Sequence, residues 1–228
     1  MNWDAAQKLE CDFWCGMAND LSNSGPLLVH LGHLANAFDY IRKDQLPECL
    51  QKMLEVGVGP LGIGSLAIVF PGVTIQGVDP LARIALNPKD PHLRAIVDDI
   101  RHRVRYMQAP AEKLMFETEE FDLVATHNCV DHCQDAMTVI GEAVRVLRKG
   151  GAFLLTVHTF SQVGRLKFET MRRLHPKVPL YVQHPWTFTH RRIRKELERL
   201  GLEIKYAEGA GRAWLGRSQL SRFQAIKR

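Results

Sequence analysis

The chain lacks any apolar run approaching the roughly 20 residues of a membrane span, so no transmembrane segment is expected. It has no internal repeat and no low-complexity tract. Its start, MNWDAAQKLE, does not have the basic-then-apolar layout of a secretory leader. Cysteine is sparse and odd in number. Cys11, Cys15, Cys49, Cys129 and Cys133 follow no disulfide-framework spacing and read as free thiols of a reducing compartment. These absences predict a cytoplasmic protein without a membrane partner. Aromatic residues make up only 8%, and none interleaves the basic residues in the manner that stacks bases. What is present suffices for a core: 228 residues, 46% hydrophobic and 24% charged, can fill one α/β unit.

The most informative stretch is MLEVGVGPLGIGSLAIVFPGVTIQGVDP, from Met53 to Pro80. An apolar strand carrying Glu55 is followed by Gly57, Gly59, Gly62 and Gly64. A short helix over Ser65 to Phe70 stops at Pro71-Gly72, and a second strand, Val73 to Val78, ends on Asp79. Strand, glycine turn, helix and strand with a terminal acid form a βαβ nucleotide-binding unit. The glycines permit positive φ and let a ligand approach where a Cβ would collide. Asp79 stands about 20 residues past the turn, where a carboxylate can accept both ribose hydroxyls. Glu55 argues against a pyrophosphate, which it would repel, and for a cation such as the sulfonium and ammonium of S-adenosylmethionine.

Further strands are expected at about Val104–Gln108, Phe121–Thr126, Ala152–His158, Glu203–Ala207 and Arg222–Ile226. Between them, Ala136 to Leu147 has apolar residues at helical spacing, and Arg148-Lys149-Gly150-Gly151 reads as its stop. The layout is α/β: a seven-stranded, mostly parallel doubly wound sheet with an antiparallel C-terminal hairpin. An N-terminal helical lid, residues 1–45, precedes a domain over 46–228.

FDLVATHNCVDHCQDAMTVIGEAVRVLRKGGAFLLTVHTF, with the glycine motif before it, resembles the class I S-adenosylmethionine-dependent methyltransferases, small-molecule subgroup. Here RVLRKGG lacks the usual proline. A looser likeness runs through HPWTFTHRRIRKELERLGLEI. The resemblance implies that Gly57, Val58 and Gly59 line the methionine part of the cofactor and that Glu55 holds its ammonium. It further implies that Asp79 binds the ribose, with Pro80 and Leu81 against the adenine. In the adenine loop the usual acid is replaced by Pro110, which shifts recognition to Ala111 and Glu112. His127 and Asn128 would touch the sulfonium region.

Methyl transfer to a hydroxyl needs proton removal, and imidazole titrates near neutrality. His132 is the first candidate base, with His158 and His184 on the same rim. Tyr181, Trp186 and Phe188 are expected to stack on the acceptor. His127, Cys129, Asp131, His132 and Cys133 invite a metal, but consecutive residues leaving a strand diverge, so none is expected. Net charge is +5, with basic residues concentrated toward the C-terminus. A solvated helix face accounts for many of them; Arg212 and Arg217 are kept for an anionic substrate. The expected function is O-methylation of a small polar metabolite, a sugar or natural product. N- or C-methylation, or action on RNA or protein, are the alternatives, and a homodimer is left open. Trp3, Phe13 and Trp14 mark the helix that would cover the cofactor.

Overall fold

All four side chains of Met53–Val56 (β1) are buried, the pattern of a parallel strand covered by helices on both faces. The computed structural model describes residues 3–209 and 218–228. The other strands are Ile75–Asp79 (β2), Val104–Gln108 (β3), Phe121–His127 (β4), Leu147–Thr159 (β5), Leu202–Glu208 (β6) and Gln219–Lys227 (β7). They form one sheet in the order β3-β2-β1-β4-β5-β7-β6. Neighbours from β3 to β5 are parallel, whereas β7 runs antiparallel between β5 and β6. This is the Rossmann-like methyltransferase fold expected from the sequence. Among the described residues no helix is long and apolar enough to cross a membrane.

The helices are Trp3–Asp20 (α1), Ser24–Ala35 (α2), Ser65–Val69 (α3), Pro91–His102 (α4), Ala136–Val146 (α5), Gln162–Leu174 (α6), Pro179–Gln183 (α7) and His190–Arg199 (α8). Capping fixes where several begin. Asp90 accepts from the N–H groups of His92 and Leu93, with Pro91 as the first residue of α4. Asp135 does the same for α5 through Met137 and Thr138. Val139, Ile140 and Ala143 of α5 pack on one face of the sheet, together with Ile193 and Leu197 of α8. Leu27, Phe38 and Leu66 pack on the other. Each fully buried Leu or Phe contributes about 1.5–3 kcal/mol from apolar transfer.

One local expectation is corrected. The helix drawn to Leu147 ends at Val146, and Arg148-Lys149-Gly150-Gly151 belongs to β5 rather than to a helix stop. Residues 148–151 join β5 as an irregularity between the Phe121–Leu147 and Leu123–Ala152 pairs, with Gly150 at φ 72° and Gly151 too close to the Asp122 carbonyl oxygen for a Cβ. Arg212 and Arg217 lie outside the described residues.

β2 and β4 leave β1 on opposite sides, so the chain reverses its winding there. That crevice, outside the strands' carboxyl ends, is where open α/β sheets bind ligands.

Candidate active site

A cavity of about 490 Å³ occupies the crevice, within the range of small-molecule sites. Its floor is the turn after β1. Gly57 and Gly59 have φ of 75° and 76°, which non-glycine residues rarely adopt. A Cβ at Gly57 would come within 2.2 Å of the Cys129 sulfur, so the turn admits no side chain there. Trp14 of α1 lies over Gly59 from the other side.

Asp79, at the end of β2, closes one wall. Its oxygens accept from the N–H groups of Gly59 and Leu81, both at 3.0 Å, which ties the glycine turn to the next loop. Burial raises its pKa to about 6, opposed by those two N–H donors. Glu55 is 2% exposed, and burial raises its pKa to about 7 against the N–H groups of Leu66 and Ser65. Both of its oxygens accept from the first turn of α3, at 3.0 and 2.9 Å. Glu55 thus borders the cavity while capping a helix, a role the sequence reading did not foresee. Glu112 is similar: it lines the cavity but accepts from the N–H groups of Gln134 and Asp135 ahead of α5.

The far wall follows β4. His127 Nδ1 lies 2.6 Å from the Thr156 hydroxyl, and burial, then the neighbouring His158 and Arg222, lowers its pKa to about 4. It is a neutral ring at physiological pH. Asn128 sits at φ 47°, and its Oδ1 is buried without a partner on the cavity wall. Beyond it the chain makes a 3-10 turn, Val130–His132. His132 Nδ1 lies 3.0 Å from Glu10 Oε1 of α1, and its ring meets that of His184 with centroids 4.2 Å apart. Burial opposes charge on His132, yet the Glu10 hydrogen bond and the Asp131 charge hold its pKa above the ordinary value. His184 is depressed by burial and by His132.

Residues 54–155 match the family model described as a methyltransferase domain. Those residues therefore carry a methyltransferase domain of the S-adenosylmethionine-dependent class I kind. Over 114 residues it is 32% identical to a ubiquinone biosynthesis O-methyltransferase of Pseudomonas putida, covering 47% of this chain and 45% of that one. Over 109 residues it is 28% identical to phosphoethanolamine N-methyltransferase 2 of Caenorhabditis elegans, covering 47% and 24%. The match thus spans less than half the length of either relative. A solved structure of similar fold is the 1,6-didemethyltoxoflavin-N1-methyltransferase of Burkholderia thailandensis, bound to 1,6-didemethyltoxoflavin and S-adenosylhomocysteine. Its TM-score is 0.61 at 16% identity, covering 98% of this chain and 89% of that one.

S-adenosylmethionine is the cofactor of the methyltransferase domain, and the cavity suits it on its own evidence. Two buried acids, Glu55 and Asp79, face a ligand that carries positive charge. Neutral His127 leaves a sulfonium unopposed, and the orphaned Asn128 Oδ1 offers an acceptor.

All but one of the expected site residues line this cavity: Glu55, Gly57, Val58, Gly59, Asp79, Pro80, Leu81, Ala111, Glu112, His127, Asn128, His132 and His184. His158 is the exception. It stays in the β5–β7 ladder opposite Leu220, and its Nδ1 is buried without a partner. The expected aromatic platform is also corrected. Phe188 is fully buried and parallel to Trp186. Trp186 donates to the Cys133 carbonyl, and Tyr181 packs edge-on against Phe168. None of the three lines the cavity: Phe188 belongs to the core, Trp186 packs against it, and Tyr181 is held by Phe168.

The sequence reading missed Glu10 and Gln7. A signal was available: Trp3, Gln7, Glu10, Trp14 and Met17 fall at three-and-four spacing on one stripe of α1, and all five line the cavity.

Proposed function

We propose that the protein transfers a methyl group from S-adenosylmethionine to a hydroxyl of a small polar metabolite, a sugar or natural product. The observation that carries this reading is one cavity lined both by the glycine turn with Asp79 and by the His132–His184 pair. When bound, the cofactor supplies a methyl group on a positively charged sulfur.

The residues divide the work. Asp79 keeps lone pairs beyond those given to Gly59 and Leu81, and these accept the ribose hydroxyls. The backbone of Gly57 to Gly59 borders the methionine part, and Pro80, Leu81 and Ala111 border the adenine. Residues 1–45 act as the lid over a domain of residues 46–228. Trp14 and His30, edge-to-face at 6.4 Å, join α1 to α2 across the opening, where they exclude water from the reacting groups. A hydroxyl is a weak nucleophile until its proton leaves, and the two imidazoles on the cavity wall can promote that loss.

Purified protein incubated with labelled S-adenosylmethionine and a panel of hydroxylated metabolites is expected to yield labelled methyl ethers. Label appearing only in amines would replace the hydroxyl reading with N-methylation. The names of the nematode and Burkholderia proteins make amines the first comparison panel.

A further inference from the structure

We propose that Asp131, His132 and His184 bind a divalent transition-metal ion of the zinc class at the cavity wall formed by the two histidines. One donor atom from each lies within 4.8 Å of the others. The sequence argued against a metal because consecutive side chains leaving a strand diverge. The backbone instead turns as a 3-10 segment at Val130–His132, and Asp131 and His132 reach a common point.

Two independent observations single out these residues. The first is the tautomer. His132 Nδ1 faces the Glu10 carboxylate at 3.0 Å, and His184 Nδ1 faces the Leu180 carbonyl at 3.0 Å. Both partners are acceptors, so each Nδ1 carries a proton, and in the neutral ring each Nε2 keeps a lone pair. Imidazoles that ligate metals are held this way, by a carboxylate or a backbone carbonyl behind the ring. The second is Asp131. It is 2% exposed, and its Oδ1 has no hydrogen-bond partner. A buried carboxylate oxygen left unpaired is costly, and a cation satisfies it.

Two imidazole nitrogens and one carboxylate oxygen suit zinc or its first-row neighbours better than magnesium, which prefers oxygen donors. Three protein ligands leave a fourth tetrahedral position for a small molecule. Tetrahedral donors around zinc stand about 3.4 Å apart, so the three side chains would draw together on binding the ion.

The proposal deepens the methyltransferase reading and rests on it for its purpose. An acceptor hydroxyl bound at the open position has its pKa lowered by the cation and releases its proton to water. His132 is then a ligand rather than a base, since one Nε2 lone pair cannot do both. The site's existence does not depend on that purpose.

The test uses the full chain, stripped with a chelator and titrated with Co²⁺ and Zn²⁺, with S-adenosylhomocysteine binding measured on every sample. One equivalent of Co²⁺ is expected, giving a visible absorption spectrum of nitrogen and oxygen ligation that Zn²⁺ displaces. His184→Ala and Asp131→Asn should each weaken metal binding at least about 100-fold, and Glu10→Gln about 10–100-fold. No binding by wild-type protein that still binds S-adenosylhomocysteine would overturn the proposal. So would a cobalt–thiolate charge-transfer band, which would put the ion on cysteines, or unchanged binding in a His132→Ala/His184→Ala double variant. Metal binding without S-adenosylhomocysteine binding would instead refute the methyltransferase reading and leave the metal site standing.

Discussion

Glu55 and Asp79 are acids kept from water at a ligand-binding turn, with pKa values raised to about 7 and about 6. Burial penalises their charged forms, and hydrogen bonds, chiefly from backbone N–H groups, offset it only in part. An acid whose folded pKa lies above its unfolded value favours the fold while protonated. The Glu55 contribution is therefore fully present below pH 4.5 and is lost as pH rises through about 7. A cationic ligand reverses the preference by favouring the carboxylates. Binding of S-adenosylmethionine should release protons near pH 6.5, and affinity should rise from about pH 5.5 to pH 8. Calorimetry in two buffers of different ionisation enthalpy measures this directly; proton uptake, or affinity flat across that range, would refute it. His132 lines the same cavity beside Glu10 and His184. His132→Ala should lower turnover about a hundredfold or more and leave S-adenosylhomocysteine affinity nearly unchanged. Steady-state kinetics with calorimetry separates the two effects, and full turnover would remove His132 from the chemistry.

Two helices at the opening make the element-scale prediction. Ala6 and Ala18 are the buried residues of α1, while Phe13 stays 50% exposed, and Trp3, Phe13, Trp14 and Met17 of its apolar stripe line the cavity. Ligand binding should complete that burial. Hydrogen exchange in residues 3–35 is expected to slow when S-adenosylhomocysteine is added; unchanged protection at confirmed saturation would sink the covering role. α8 is the opposite kind of element. Its polar surface carries the Arg194–Glu198 and Arg199–Glu196 pairs, and its stability comes from Ile193 and Leu197, both fully buried. Leu197→Ala should cost about 2–5 kcal/mol of unfolding free energy. Denaturant titration gives the figure, and a loss well below that range would show that α8 is not anchored through this residue.

At the scale of the whole molecule, what the sequence made legible were features with local signatures. All seven strands fell close to where the sequence placed them, the central ones because a strand covered by helices on both faces reads as a continuous apolar run. The glycine turn, Asp79 and the segment from His127 to His132 were legible for the same reason: each lies within a few residues of a strand end. What stayed hidden depends on residues far apart in the chain. Glu10 meets His132 across 122 positions, and no spacing rule reaches that far. Trp186 and Phe188 look like a ligand platform in sequence, yet the β5–α8 region buries them in its core. The meeting of His184 with His132 needs α7 to fold back over the 3-10 turn.

The central claim is that the β1–α3 crevice is built for S-adenosylmethionine and holds it through Asp79. Titration calorimetry of S-adenosylhomocysteine into the wild-type protein and into Asp79→Ala tests it most directly. The account predicts one site per chain in the wild type. It predicts a loss of about 2–3 kcal/mol in the variant, from removing charge-assisted hydrogen bonds to two ribose hydroxyls. No binding by the folded wild-type protein, or equal affinity in the two proteins, would contradict it.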